Sequence, residues 1–222
     1  MVDLEQFKGK LQSFPRDYMT DFDGFWKWKL KVETKNKHIL QDVYRKETGD
    51  RLCGILRKWQ AYRPYGLREE ILRDSLGKIS SAYGEIRQSS LLEFNRIPDE
   101  PLNSIWHELG HVKEEHGNKN DIGNYSVVSV CKPLMLLWGQ TLAFDSRTRS
   151  GIPSEYCVPV DYCAPKYAWR WTFAVWKSVM TGFQRGLSED SEAVNYFRQL
   201  SGKRYGTHSI VPYGRFLDIY YF

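Results

Sequence analysis

The sequence predicts an all-α, two-lobed helical bundle folded as one globular domain, with an irregular segment at its N-terminus. Three observations carry that expectation. Apolar residues recur at helical spacing in successive stretches from Asp50 onward. Capping residues stand ahead of several of those stretches, and glycine or proline behind them. The stretch from Tyr125 to Trp138 is apolar nearly all round, as in a helix surrounded by other helices. A chain of 222 residues is long enough to bury one substantial core. The lobes are expected over about residues 1–120 and 121–222.

Residues 1–38 mix aromatics (Phe22, Phe25, Trp26, Trp28) with many lysines, and without a sustained period no regular element is predicted there. Leu52, Ile55, Leu56 and Trp59 share one face of a helix from about Asp50. Arg63-Pro64 should stop it, because a proline drives the preceding residue out of the helical region. A second helix is expected from about Leu67, with Ile71, Leu72, Leu76 and Ile79 inward. Asp99 is expected to cap a third, with Pro101 near its first turn, Leu102, Ile105, Trp106, Leu109 and Val112 as its stripe, and Gly117 at its end. The Tyr125–Trp138 helix should end at Gly139, and Asp145-Ser146-Arg147 reads as the capped start of another. A long loop is expected from Gly151 to Pro165, then a Trp-rich helix over Pro165–Phe183. Ser188–Leu200 should follow as a helix capped by Ser188 and ended at Gly202, and Val211–Phe222 as the last helix.

Aromatic residues make up 15%, so rings must build much of the core. The net charge of +5 suits an anionic partner, and no run of like charge reaches five residues, which excludes a tail-driven binder. Cys53, Cys131, Cys157 and Cys163 show no CxxC spacing, and the N-terminus carries charge where a secretory leader needs an apolar run. Apolar runs such as Pro133–Trp138 fall far short of a membrane span. A soluble cytoplasmic monomer with reduced thiols is therefore expected.

The central helix carries one lysine, Lys132, among Val127, Val128, Leu134 and Leu136. Lysine is rarely buried without a partner or a task, because desolvating an ammonium is costly. Asp145, at the next helix start, would accept backbone N–H groups and stay ionised in a partly dry site. Cleavage of an N-glycosidic bond uses such groups. A fixed carboxylate stabilises the oxocarbenium character of the sugar, and a desolvated amine can attack C1′. The alternative without chemistry is a snorkelling lysine and an ordinary N-cap.

The segment SVVSVCKPLMLLWGQTLAFDSRTR, residues 126–149, resembles the catalytic segment of the helix-hairpin-helix DNA glycosylases. Arg215-Phe-Leu-Asp218-Ile-Tyr is similar to the closing helix of related proteins. The resemblance implies Lys132 as nucleophile, Asp145 as electrostatic catalyst, double-stranded DNA as partner, a nucleoid-associated location and no cofactor. Base flipping also calls for cations on phosphates and rings beside the extruded base. Ser146, Arg147, Arg149 and Trp138 are the expected contacts nearest Asp145, and Gln140 the residue placed to read a base edge. Lys166, Trp169, Arg170, Lys203, Arg204 and Tyr205 are further candidates. A non-catalytic DNA-binding protein is a third possibility.

A different chemistry is suggested by His107-Glu108-Leu109-Gly110-His111, which fits HExxH. That motif resembles zinc metallopeptidases, in which both histidines bind zinc and the glutamate acts as base. Glu114, His116, Asp121 and His208 are the candidates for a third ligand. An exposed polar helix face gives the same pattern without metal.

Overall fold

The N-terminal segment, expected to be irregular, is two helices: α1 (Leu4–Ser13) and α2 (Arg16–Val32). The computed structural model describes residues 2–62, 66–112, 123–153, 156, 169–207 and 209–222. Asp3 caps α1 by accepting the N–H groups of Glu5 and Gln6. On α2, Phe22, Phe25, Trp26 and Lys29 form a buried stripe at helical spacing. The period was hidden because its last position holds a lysine. Burial lowers the Lys29 pKa, and its ammonium lies 4.0 Å from the centre of the Trp26 ring and 3.4 Å from Glu33 Oε2.

The next helix, α3 (Asp42–Lys58), begins at Asp42 rather than Asp50. Its first turns are polar and leave Val43 exposed, so they add no apolar signal. It ends before the expected Arg63-Pro64 stop, which lies outside the described residues. Then follow α4 (Glu69–Lys78), α5 (Ser80–Ile86), a 3-10 turn (Leu91–Arg96) and α6 (Asp99–Gly110). In α6 the capping position is Pro98 and Asp99 is the first helical residue, while Leu102, Ile105, Trp106, Leu109 and Val112 are all buried as expected. The expected terminator Gly117 is outside the described residues.

Tyr125 and Ser126 leave the predicted central helix to form β1 (Tyr125–Ser126), paired antiparallel with β2 (Arg170–Trp171). The helix itself, α7 (Val127–Trp138), is buried at every position except Val128. Gly139 ends it in the left-handed region at φ 74°, which glycine adopts without a steric penalty. After α8 (Ser146–Gly151), much of the expected loop falls outside the described residues. The ribbon delays the Trp-rich helix, so α9 (Phe173–Ser188) starts at Phe173 with Thr172 as cap. α10 (Ser191–Tyr205) is capped by Asp190, not Ser188, and runs past Gly202 to Tyr205. α11 (Tyr213–Tyr221) closes the chain as predicted.

Among the described residues the fold is thus all-α apart from one short ribbon. Buried apolar residues from Phe7 to Tyr221 form one continuous cluster. Within it α7 packs on α2, α3 and α6, and α11 packs on α1 and α8. A side chain at Gly214 would collide with the backbone of Gln140 and Thr141. Glycine there lets the start of α11 sit flush on the turn that follows α7. No helix among the described residues is long and apolar enough to cross a membrane.

Cys53 and Cys131 are free and buried. Burial pushes the Cys53 thiol up to about 11 and the Cys131 thiol higher still. Because the thiolate is the reactive form, a thiol reagent at neutral pH is expected to spare both until guanidinium unfolds the chain. Peptide mass mapping would check this, and native labelling of Cys131 would contradict its position in the core. Cys157 and Cys163 lie outside the described residues.

Candidate functional site

Lys132 lies in the middle of α7 and is only 8% exposed. Two carboxylates and one guanidinium share its surroundings. Burial is the largest influence on the amine and lowers its pKa, Asp145 and then Asp218 oppose that, and Arg215 reinforces it. Lys132 makes no hydrogen bond or direct ion pair with any described residue, so these charges act on it through space.

Asp145 is the N-cap of α8, as expected. Its Oδ1 accepts the N–H groups of both Arg147 and Thr148 at 3.0 Å. No described residue bonds Oδ2. One carboxylate oxygen is therefore spent on holding the helix start, and the other makes no bond to a described residue.

The turn that presents Asp145 is held from several directions. Phe144 has φ 51°, in the left-handed region that a bulky residue adopts only under constraint. Arg149 Nη1 donates to the Phe144 carbonyl at 2.5 Å. Asp218 on α11 braces both flanks of Asp145, its Oδ1 accepting Ala143 N–H at 2.9 Å and the Thr148 hydroxyl at 3.1 Å. Arg215, one turn earlier on α11, donates from Nη1 to Asp218 Oδ2 at 2.9 Å and from Nη2 to Tyr18 O at 3.2 Å. Its guanidinium is packed within 4.8 Å of the Phe14 ring centre and 5.1 Å of that of Phe22. Burial raises the Asp218 pKa; Arg215 opposes this and Asp145 adds to it.

Two expected base contacts are corrected by these positions. Gln140 is fully buried, with Oε1 accepting Leu91 N–H at 2.8 Å and Nε2 donating to Val211 O at 2.9 Å. Its amide ties the 3-10 turn to the approach of α11 and leaves no edge for a base. Trp138 is also fully buried, its indole N–H donating to Ser89 O. Both residues are polar-tipped, and both sit where α7 meets the rest of the core.

Arg149 is a third correction. Only 8% of it is exposed, and it holds the Phe144 carbonyl rather than facing a phosphate. Ser146 and Arg147 are exposed on the same turn, with the Arg147 guanidinium 5.0 Å from the Phe222 ring centre. Among the further candidates, Arg170 donates to Asn124 O, Trp169 is half exposed, and Arg204 and Tyr205 both bond Asp23. Lys203 is exposed, and Lys166 is outside the described residues.

Sequence reasoning did not assign Asp218, Arg215 or Thr148 to the site. The signal was a pair of opposite charges three residues apart in the otherwise apolar YGRFLDIYYF. On a buried helix such a pair must be internally matched.

The HExxH residues lie elsewhere. His107 Nδ1 and His111 Nε2 both approach the Tyr125 hydroxyl, at 3.2 and 3.3 Å. Glu108 faces Lys78 at 3.6 Å. The two histidines are thus brought together on one phenol, while Glu114, His116, Asp121 and His208 fall outside the described residues. Among the described residues no three of His, Cys, Asp or Glu gather as a metal site.

Comparison of the chain with protein-family models, with curated proteins and with solved structures found no match.

Proposed function

We propose that this protein is a DNA glycosylase that everts a modified nucleotide from duplex DNA and cuts its N-glycosidic bond. One observation carries the reading: a largely buried lysine feels the charge of a helix-capping carboxylate, Asp145, whose second oxygen is bonded by no described residue. A core has no packing use for that combination, since a hydrophobic residue at position 132 would avoid the desolvation cost.

In the proposed reaction the C1′–N bond breaks with its electron pair going to the departing base, which takes up a proton. Asp145 Oδ2 offsets the positive charge that grows on the sugar. The neutral Lys132 amine then bonds to C1′; one of its protons goes to the departed base and the other to O4′ as the C1′–O4′ bond breaks, which opens the ring and leaves the Schiff base. Burial favours that neutral form. Arg147 and Ser146, exposed beside Asp145, are the proposed phosphate contacts. Double-stranded DNA is the proposed partner, and the step requires no cofactor.

Borohydride trapping on duplexes bearing a panel of modified bases tests this proposal. Wild-type protein is expected to form a covalent adduct and Lys132→Gln none. Base release by wild type without an adduct would assign the chemistry to Asp145 and water alone. Release of no base from any duplex would remove the proposal.

A further inference from the structure

On another face, a groove of about 770 Å³ lies between the end of α2, the end of α5 and the segment after α10. Lys35, Arg87, Gln88, Thr207 and Ser209 line it together with the Glu33 carboxylate, and Leu30 supplies an apolar wall. A volume of this size falls within the roughly 300–1,000 Å³ typical of small-ligand sites.

The charges beneath the groove are unevenly matched. Glu33 Oε1 lies 2.5 Å from the Tyr83 hydroxyl, which donates to it. Its Oε2 faces two cations, Lys29 Nζ at 3.4 Å and Arg87 Nη1 at 3.9 Å. Neither nitrogen has a hydrogen-bond partner among the described residues. The other Arg87 nitrogen, Nη2, is held by the carbonyls of Thr34 and Lys35 at 2.9 and 2.8 Å. The guanidinium is therefore fixed at the groove with one end unsatisfied. One carboxylate is shared by Arg87 and by Lys29, whose ammonium form burial disfavours, and exposed Lys35 stands beside them with no ion pair to a described residue. A buried donor without a partner carries a desolvation cost that an ion or a water at the site would offset.

We propose that this groove binds a phosphate-bearing ligand the size of one nucleotide, with the phosphate between Lys35 and Arg87 and the flat ring against the apolar wall. The threonine and serine hydroxyls of the groove would serve the sugar or the remaining phosphate oxygens. The proposal does not depend on base excision, because the groove contains neither Lys132 nor Asp145.

The test is titration of the whole protein with inorganic phosphate, AMP, adenosine and a single-stranded oligonucleotide, followed by amide chemical shifts. Phosphate and AMP are expected to saturate with shifts around residues 33–35 and 87–88, and adenosine to bind far more weakly. Lys35 and Thr207 are exposed, so Lys35→Gln and Thr207→Trp test the site with little risk to the fold. Lys35→Gln is expected to weaken AMP about tenfold, the value of one charge-assisted contact. Thr207→Trp, which fills the groove, should abolish binding. Competition by the oligonucleotide would identify a strand as the source of the phosphate, and AMP binding without it a free nucleotide. Absence of saturable binding by both phosphate and AMP, or AMP affinity unchanged in both variants, would overturn the proposal.

Discussion

Asp145→Asn is expected to slow base excision by about 10²–10³-fold, the scale set by removing one preorganised electrostatic partner of a transition state. The substitution is nearly isosteric and its effect can be separated from folding. Asp145 Oδ1 caps α8 through Arg147 and Thr148, and an asparagine carbonyl caps a helix about as well. What asparagine lacks is charge at Oδ2. The loss should therefore appear in the single-turnover rate at saturating enzyme, with DNA affinity and melting temperature close to wild type. Asp145→Ala is expected to lose the cap as well, and with it about 0.5–2 kcal/mol of stability. Equal single-turnover rates for wild type and Asp145→Asn would remove Asp145 from the chemistry.

Which parts of the fold could be read in advance follows from how each helix signals itself. α6 was legible because its apolar stripe is unbroken, α7 because it is apolar nearly all round apart from Lys132, and α8 because an aspartate stands directly before it. α2 was not, since Lys29 interrupts its stripe and the compensating Glu33 and Trp26 contacts are tertiary. The ribbon was illegible for the same kind of reason: two residues pairing with two others 44 and 46 positions away leave no local period. α10 was misplaced at both ends, because Ser188 and Asp190 both suit a cap and only packing selects Asp190, and because the helix continues through Gly202 to Tyr205.

The site shows the same division. Lys132 and Asp145 declared themselves by residue type, a lysine in an apolar helix and a carboxylate at a helix start. Gln140 and Trp138 misled because a polar tip beside the Asp145 turn reads equally as a ligand contact or as a buried strut. Their hydrogen bonds, to Leu91, Val211 and Ser89, are made to segments distant in sequence. Asp218 braces a turn about 75 residues earlier in the chain, a relation that only the packing of α11 on α8 creates.

That brace carries the largest expected effect on stability. Asp218→Ala leaves the Arg215 guanidinium, 1% exposed, without its counterion in the core and frees the Ala143 N–H and Thr148 hydroxyl. Breaking one half of a buried pair costs about 3–5 kcal/mol, which urea unfolding would measure; a loss below about 1 kcal/mol, the level of a surface pair, would show that the pair does not hold the turn. Replacing both partners, as Asp218→Leu with Arg215→Met, should recover much of the loss, since the uncompensated charge is gone. The turn itself should not recover, because Phe144 then keeps its strained backbone with fewer restraints. Asp218→Asn separates the electrostatic role from the mechanical one. Asp218 is one of two anions holding the Lys132 pKa up against burial, so neutralising it should lower that pKa further. Trapping requires the neutral amine and fails as pH falls through this pKa. The acid limb of adduct formation is therefore expected at lower pH in Asp218→Asn than in wild type. A limb at the same pH would mean that Asp218 acts on Lys132 only through the shape of the turn.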